Sequence, residues 1–406
     1  MSGDDRIVTG RFTAAAASCF FMTLVFFAHF SAMPSFSMDR MGTDAALAGF
    51  VAGVFILGDI VGRIVLRNRI WLIGPNRLCL AMMAAGTGIS VLYLMTDDVT
   101  AICTIGVIHG FTYGVAELCV FARVTADLPE SKRGKGIGLF TLSYSLACAI
   151  GPFLSIYMVN SGSYDEVFIL GLVASALSAA SAVLMGRDTA PEDSVESEDA
   201  IVTGIIPGVL PISVVTLLFL ISYSGVLTFI APFGISEGFE DYAAAFYIVL
   251  AAATVFSRVS VMGRYDELGP DRILVPMLLL YVVGMVILGL ASEGYLILIS
   301  AFLIGLALAS VQAASQVIAV EGLHPKEQGT ALAVVQVAID LSYIIGPVAY
   351  GIVLSGTDYA GSYLLMGLVG LVPLLLYLAA CSQVRKKKVR IRERRSARAS
   401  PVLCGW

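Results

Sequence analysis

The sequence predicts an all-α polytopic membrane protein, with twelve transmembrane helices forming two six-helix bundles related by a pseudo-two-fold axis. Three observations lead there. Apolar residues fill 58% of the 406 positions and charged residues only 14%, where a soluble domain carries about 45–50% and about 25%. Nearly all the basic residues fall on one side of an alternating helix pattern. The two halves of the chain also repeat one another at a constant offset of 195 residues.

A bilayer crossing needs about 20 predominantly apolar residues. Twelve stretches qualify: 12–34, 47–66, 78–96, 100–123, 136–159 and 167–186, then 209–232, 244–262, 273–292, 295–320, 330–355 and 362–382. They are continuously apolar rather than alternating, which excludes barrel strands. The first is longer than a signal-peptide core of about 7–15 residues and no A-x-A-like site follows it, so it reads as a retained helix. The seven cysteines, Cys19, Cys79, Cys103, Cys119, Cys148, Cys381 and Cys404, form no CxxC and mostly sit in apolar segments. They read as small buried residues, neither a disulfide framework nor a zinc site.

With the N-terminus inside, 24 of the 25 lysines and arginines flank the cytoplasmic loops and tail, and only Arg40 falls outside. That bias places both termini in the cytoplasm of a multi-pass plasma (inner) membrane protein. The expected organisation is an N-terminal bundle over 1–186, a cytoplasmic linker over 187–208, a C-terminal bundle over 209–382 and a basic tail over 383–406. The linker contains Ala-Pro-Glu-Asp-Ser-Val-Glu-Ser-Glu-Asp and is polar and acidic. The tail either serves topology alone or also touches anionic lipid headgroups.

At the offset of 195, Arg63 pairs with Arg258, Gly74-Pro75 with Gly269-Pro270, Arg77 with Arg272, Gly110 with Gly305, Gly134 with Gly329 and Gly151-Pro152 with Gly346-Pro347. One gapless register carries all of them. Six helices per half with odd-numbered helices running outward make this a parallel repeat about an axis along the membrane normal.

On these features the chain resembles the major facilitator superfamily over nearly its whole length. That family's signature between helices 2 and 3 is roughly G-x-x-x-D-R-x-G-R-R. The C-terminal copy here, Gly263-Arg264-Tyr265-Asp266-Glu267-Leu268-Gly269-Pro270-Asp271-Arg272, keeps the acid and the second glycine; in the N-terminal copy Trp71 stands where the acid belongs. The resemblance implies a gating latch at Asp266, near the start of helix 5, with Arg133 and Lys135 as basic candidates. Gly138, Gly151 and Pro152 also match the family's helix 5 antiporter motif, with Ala147 and Ser155 replacing glycines. Small residues there let helices approach and a proline bends the helix. As a whole the chain looks most like the drug and metabolite efflux branch. Gly106 stands where that family often has a helix 4 arginine.

Ionisable side chains within the membrane mark functional positions, because each costs roughly 2.5–3.5 kcal/mol at mid-bilayer. Asp59 lies four residues before Arg63, an i, i+4 pair on one helix face. His109, Tyr113 and Glu117 follow one another at i, i+4 and i+8 along helix 4. Glu117 has no basic neighbour within a turn, so it is either protonated or paired across helices. Helix 11 carries Gln336, Asp340 and Tyr343 on one face, and helix 10 carries Gln312, Ser315 and Gln316. These faces either line a central water-filled cavity or hold the bundle together by interhelical hydrogen bonds. His109 taken alone reads as a packing residue. Asp340, Glu117, Gln336, Tyr343, Gln312, Gln316, His109 and Tyr113 are the candidates for a substrate and proton pathway. Asp59, Arg63, Arg258, Asp266, Gly151, Pro152, Gly346 and Pro347 are the candidates for conformational gating.

No G-x-x-x-x-G-K-[ST] loop occurs, the nearest string being Arg133-Gly134-Lys135-Gly136, which argues against a primary pump. No HExxH, GxSxG or clustered metal-ligand pattern suggests an enzyme, a cofactor or a metal site. The expectation is a secondary transporter working by alternating access, exporting small organic molecules in exchange for protons. The alternative is an uptake carrier or facilitator for a polar metabolite on the same fold. The expected partners are a small-molecule substrate, protons and the lipid bilayer, with no nucleic acid and a monomeric state.

Overall fold

The computed structural model describes residues 7–66, 69–128, 133–186, 206, 208–323 and 325–381, with the side chains of Trp71, Arg133, Lys135, Asp266 and Lys326 outside that description. Most of the linker and the whole basic tail also lie outside the described residues. Among the described residues, twelve helices are long and apolar enough to cross a membrane. They are α1 (Gly10–Met41), α2 (Ala45–Leu66), α3 (Pro75–Met95), α4 (Val99–Asp127), α5 (Leu139–Asn160) and α6 (Tyr164–Leu184), then α7 (Leu210–Glu237), α8 (Glu240–Arg264), α9 (Pro270–Gly289), α10 (Gly294–Val320), α11 (Thr330–Gly356) and α12 (Tyr359–Ala379).

Local chemistry sets the helix ends. The Thr9 hydroxyl accepts from the Phe12 amide at 3.2 Å and opens α1. Aspartates do the same for α2, α4 and α12, accepting from Leu47, Ala101 and Gly361 at 2.7, 2.8 and 2.7 Å. Such caps satisfy amides that a helix start leaves without partners. Helix α1 runs on to Met41, past the end at residue 34 expected from sequence, because Pro34 is accommodated inside it. A buried proline removes one backbone bond, and neighbouring groups can satisfy what it frees.

The packing repeats with the sequence. Helix α1 packs on α5 and α6, α2 on α4, and α3 on α4 and α6; α7 packs on α11 and α12, α8 on α10, and α9 on α10 and α12. The same register holds at single residues. Gly110 of α4 sits against the Phe55 carbonyl of α2, and its mate Gly305 of α10 against the Leu250 carbonyl of α8. Gly62 lies against the Phe111 carbonyl; its mate Ser257 donates a 2.8 Å hydrogen bond to the Leu306 carbonyl. The connection from α2 to α3 contains a short helix, Ile70–Ile73, and that from α8 to α9 contains Tyr265–Leu268 at the same offset. Each ends on a glycine of positive φ, Gly74 at 98° and Gly269 at 75°, before a proline that opens the next helix. Left-handed backbone followed by a fixed proline φ is why both copies keep Gly-Pro.

The halves meet along α2 with α11 and α5 with α8, again a symmetric pair, and α1 also touches α7. Their tightest approach lies at the end opposite the chain termini. There Gly49 presses on the Pro347 carbonyl, Gly351 on the Ala45 carbonyl, and Gly53 on Ile344. At the same end the Asn160 amide donates to the Glu240 carbonyl at 3.1 Å. Nearer the termini, Arg258, Gln316 and Gln336 are exposed. The bundle is therefore closed at one end and accessible from the other.

Replacing Gly110 or Gly305 by leucine should force α2 from α4, or α8 from α10, because a side chain would overlap a backbone carbonyl. Overpacking of this kind costs about 1–3 kcal/mol or more, read as a lower melting temperature in detergent. Gly88→Ala, with open space at its Cβ, should leave it unchanged.

Candidate functional site

The glycines that pack α2 on α4 also build the site. Gly58 and Gly62 on α2 face Val107 and Phe111, while Gly110 and Gly114 on α4 face Phe55 and Asp59. Two small-xxx-small pairs thus bring the helix backbones into contact. At that contact Asp59, Arg63 and Glu117 meet. Arg63 Nη2 lies 2.8 Å from Asp59 Oδ2 and 2.5 Å from Glu117 Oε2. Its Nη1 lies 3.3 Å from Asp340 Oδ2 on α11, in the other half. Gln336 Nε2 donates to the second oxygen of Asp340 at 2.8 Å.

One guanidinium is thereby shared by three carboxylates from three helices and both halves. The side chains of Asp59 and Asp340 are 7% and 12% exposed, those of Arg63 and Glu117 24% and 26%, so water reaches one side of the cluster. Asp59 Oδ1 and Arg63 Nε are buried without a hydrogen-bond partner among the described residues. Asp59 Oδ1 is turned toward Gly114.

Tyr144 of α5 marks the space beside the cluster. It lies within electrostatic reach of Tyr113, Tyr343 and Glu117, from α4 and α11, yet is 37% exposed. Residues of both halves therefore lie around a ring that is partly accessible. Tyr343 borders the same space, with its ring packed edge-on against Phe30 at 5.7 Å. Gln312 is half-buried and Gln316 exposed on α10. Gly151 packs on the Leu24 carbonyl of α1, and Gly346 on Ser224 and the Ile221 carbonyl of α7, so closely that a side chain at either position would overlap them. Pro152 and Pro347 follow them inside α5 and α11.

Several sequence expectations change. Periodicity put His109, Tyr113 and Glu117 on one face, but the structure divides them. His109 is 4% exposed among Phe55, Tyr93 and His29, with ring centroids 5.3, 5.8 and 6.0 Å away. Tyr113 is buried against Phe26 and Phe55. Only Glu117 reaches the charge cluster, because the 100° step of a helix turns i and i+8 apart by some 80°. Asp340 lacks a basic neighbour on its own helix, as expected, but finds Arg63 across the interface. Arg63 and Asp59 belong to the charge site as well as to the packing of α2. The Asp266 latch, with Arg133 and Lys135, falls on side chains outside the described residues. Sequence reasoning missed His29, which is 4% exposed beside His109, and the paired glycines of α2 and α4. The glycines were legible as G-x-x-x-G spacing; His29 carried no comparable signal.

Among the described residues, twelve membrane-length helices form two repeated halves with a charge cluster where they meet, an architecture of the kind that many membrane transporters share. The Major Facilitator Superfamily profile matches residues 15–265 and again 259–406, and the chain belongs to that family. No curated protein matches the chain in sequence. Solved structures share its fold. The nucleoside transporter NupG superposes with a TM-score of 0.73 at 14% identity, covering 91% of this chain and 99% of that one. A POT family transporter in complex with a thioalcohol-conjugated peptide gives 0.73 at 12%, covering 92% and 96%. The human organic anion transporter MFSD10 gives 0.62 at 14%, covering 93% and 100%. The chain is a multi-pass membrane transporter of small molecules and not an enzyme.

Removing Arg63 should destabilise the protein more than removing any one carboxylate, since breaking a buried pair from the shared side costs on the order of 3 kcal/mol. Glu117→Gln should restore part of the melting temperature lost by Arg63→Gln. Additive losses in the double variant would show that the two side chains are not coupled.

Proposed function

We propose that the chain is a proton-coupled secondary transporter of small organic molecules, working by rocking of its two bundles about a midplane site. The observation that carries this reading is the Arg63 cluster. Three carboxylates share one guanidinium, so the ionised cluster holds two more negative charges than positive, in a setting where unbalanced charge is expensive. A proton is the simplest balancing ion. One of the three acids, Asp340, sits on the opposite half from the other two and from Arg63. Rocking the halves would separate Asp340 from Arg63 and alter the solvation of both. An acid whose partner leaves in one state exchanges protons differently in the two states.

Asp340 is the first candidate for the proton-exchanging group and Glu117 the second. Asp59, with 7% side-chain exposure and a partner on its own helix, serves to hold Arg63. Gln336 positions Asp340, while Tyr343, Gln312 and Gln316 are candidate substrate contacts. Gly151-Pro152 and Gly346-Pro347 are the points about which α5 and α11 adjust. Export is the direction suggested by the helix 5 resemblance. The polar lining keeps uptake as the second reading. The named functions of the similar folds span nucleosides, peptides and organic anions, so fold alone does not choose a substrate. A plasma (inner) membrane location with both termini cytoplasmic and a monomeric unit complete the proposal, supported by the distribution of basic residues.

Reconstitution into liposomes with an imposed pH gradient tests it. Asp340→Asn should fold and insert, retain exchange of substrate, and lose gradient-driven accumulation. Glu117→Gln should have a similar or smaller effect, because its repeat mate is already the amide Gln312. A full response to the gradient in Asp340→Asn would remove that residue from coupling. Reversing the gradient assigns direction.

A further inference from the structure

The two halves share a backbone framework but not its charge. Arg63 and Arg258 are mates in the repeat, each two turns or less from the terminus-bearing end of its helix. The three acids around Arg63 have neutral mates: Asp59 corresponds to Thr254, Glu117 to Gln312 and Asp340 to Ser145. The hydroxyls are moreover engaged elsewhere. Thr254 donates to the Leu250 carbonyl at 2.8 Å and Ser145 to the Thr141 carbonyl at 3.1 Å, each within its own helix. Arg258 is exposed and makes no ion pair or side-chain hydrogen bond among the described residues. It lies within electrostatic reach of half-buried Cys148 on α5. Helices α5 and α8 pack on one another between the halves, so Arg258 stands at that interface, as its mate Arg63 stands where α2 meets α11.

We propose that Arg258 binds an anionic group, carboxylate or phosphate, of the transported molecule; this rests on reading the chain as a transporter that binds its substrate between the halves. The charged groups bordering that space differ in availability. Each carboxylate already holds Arg63, and Asp340 also accepts from Gln336. A cationic substrate would have to displace a guanidinium to reach them. Arg258 offers a planar fork of N–H donors with no competitor among the described residues, and that fork matches carboxylate or phosphate oxygens two at a time. The exposed ring of Tyr144, one turn from Cys148 on α5, and the half-buried Tyr343, which also lies within electrostatic reach of Cys148, suit the apolar body of such a molecule. Arg63 holds the halves together in this state, and Arg258 is left for the cargo.

The repeat itself supplies the test. Ser145→Asp places an acid where α11 carries Asp340 and keeps the guanidinium, so Arg258 acquires an internal partner. Thermal melting of the purified full-length protein in detergent is followed with benzoate, phenyl phosphate, benzamide and benzylammonium, at matched chloride. Benzoate, phenyl phosphate or both should raise the melting temperature by roughly 2–4 °C once the concentration well exceeds the dissociation constant. Benzamide and benzylammonium should not. Comparing the two anions separates a carboxylate site from a phosphate site. The shift should vanish in both Arg258→Gln and Ser145→Asp. Absence of a shift with either anion, an equal shift with benzamide, or a shift that survives in Ser145→Asp would overturn the proposal. Melting needs no gradient, so an anion shift without gradient-driven flux would refute the coupling reading alone.

Discussion

A single guanidinium shared by three carboxylates is the interaction on which the rest of this structure turns. Arg63 joins α2 to α4 within one half and to α11 in the other. It satisfies charges that a membrane interior tolerates only when paired. The pairing demands that α2 and α4 lie nearly in backbone contact, and Gly58, Gly62, Gly110 and Gly114 allow it. It also demands that α11 lie alongside α2, and the contacts of Gly49, Gly53 and Gly351 at the closed end hold it there. Close packing without side chains and strong pairing with them are two parts of one arrangement.

Symmetry explains the framework and its breaking explains the site. Both halves bring the second and fourth helices together at equivalent positions, but by different means. The first half uses bare glycine at Gly62; the second uses serines, with Ser257 bonded to the Leu306 carbonyl and 2.7 Å from Ser310. Interhelical hydrogen bonds and van der Waals contact are the two attractions available where lipid removes the hydrophobic drive between helices. The charged cluster occupies one side of the pseudo-axis only. A transporter with identical halves would present the same chemistry twice; here Arg63 is ion-paired within its own half and to Asp340 of the other, while its mate Arg258 makes no ion pair among the described residues.

Buried aromatic and imidazole groups fill the N-terminal half away from the interface. His29 stands 5.0 Å from Tyr93 and 6.0 Å from His109 by ring centroids, within the packing of α1, α3 and α4. Such rings occupy the volume that glycine-rich helices leave between them. The proposed rocking needs rigid bundles, since its motion would occur between the halves and not within them.

The sequence by itself determined the solvent, the number of spans and the repeat. Those properties are local or periodic: continuous apolar length, alternation of basic loops, and Gly-Pro at a constant offset because positive φ admits little else. It also showed Asp59 and Arg63 as neighbours, because a helix places i and i+4 together. Tertiary structure decided the rest of the site. Residues 63, 117 and 340 are far apart in the chain, and no periodicity within one helix can report a meeting of three. The same limit separated His109 and Tyr113 from Glu117, since a helix face has no outward or inward side until its neighbours are in place. Which arginine is satisfied and which is left open follows from which helices pack together, and that is a property of the folded bundle.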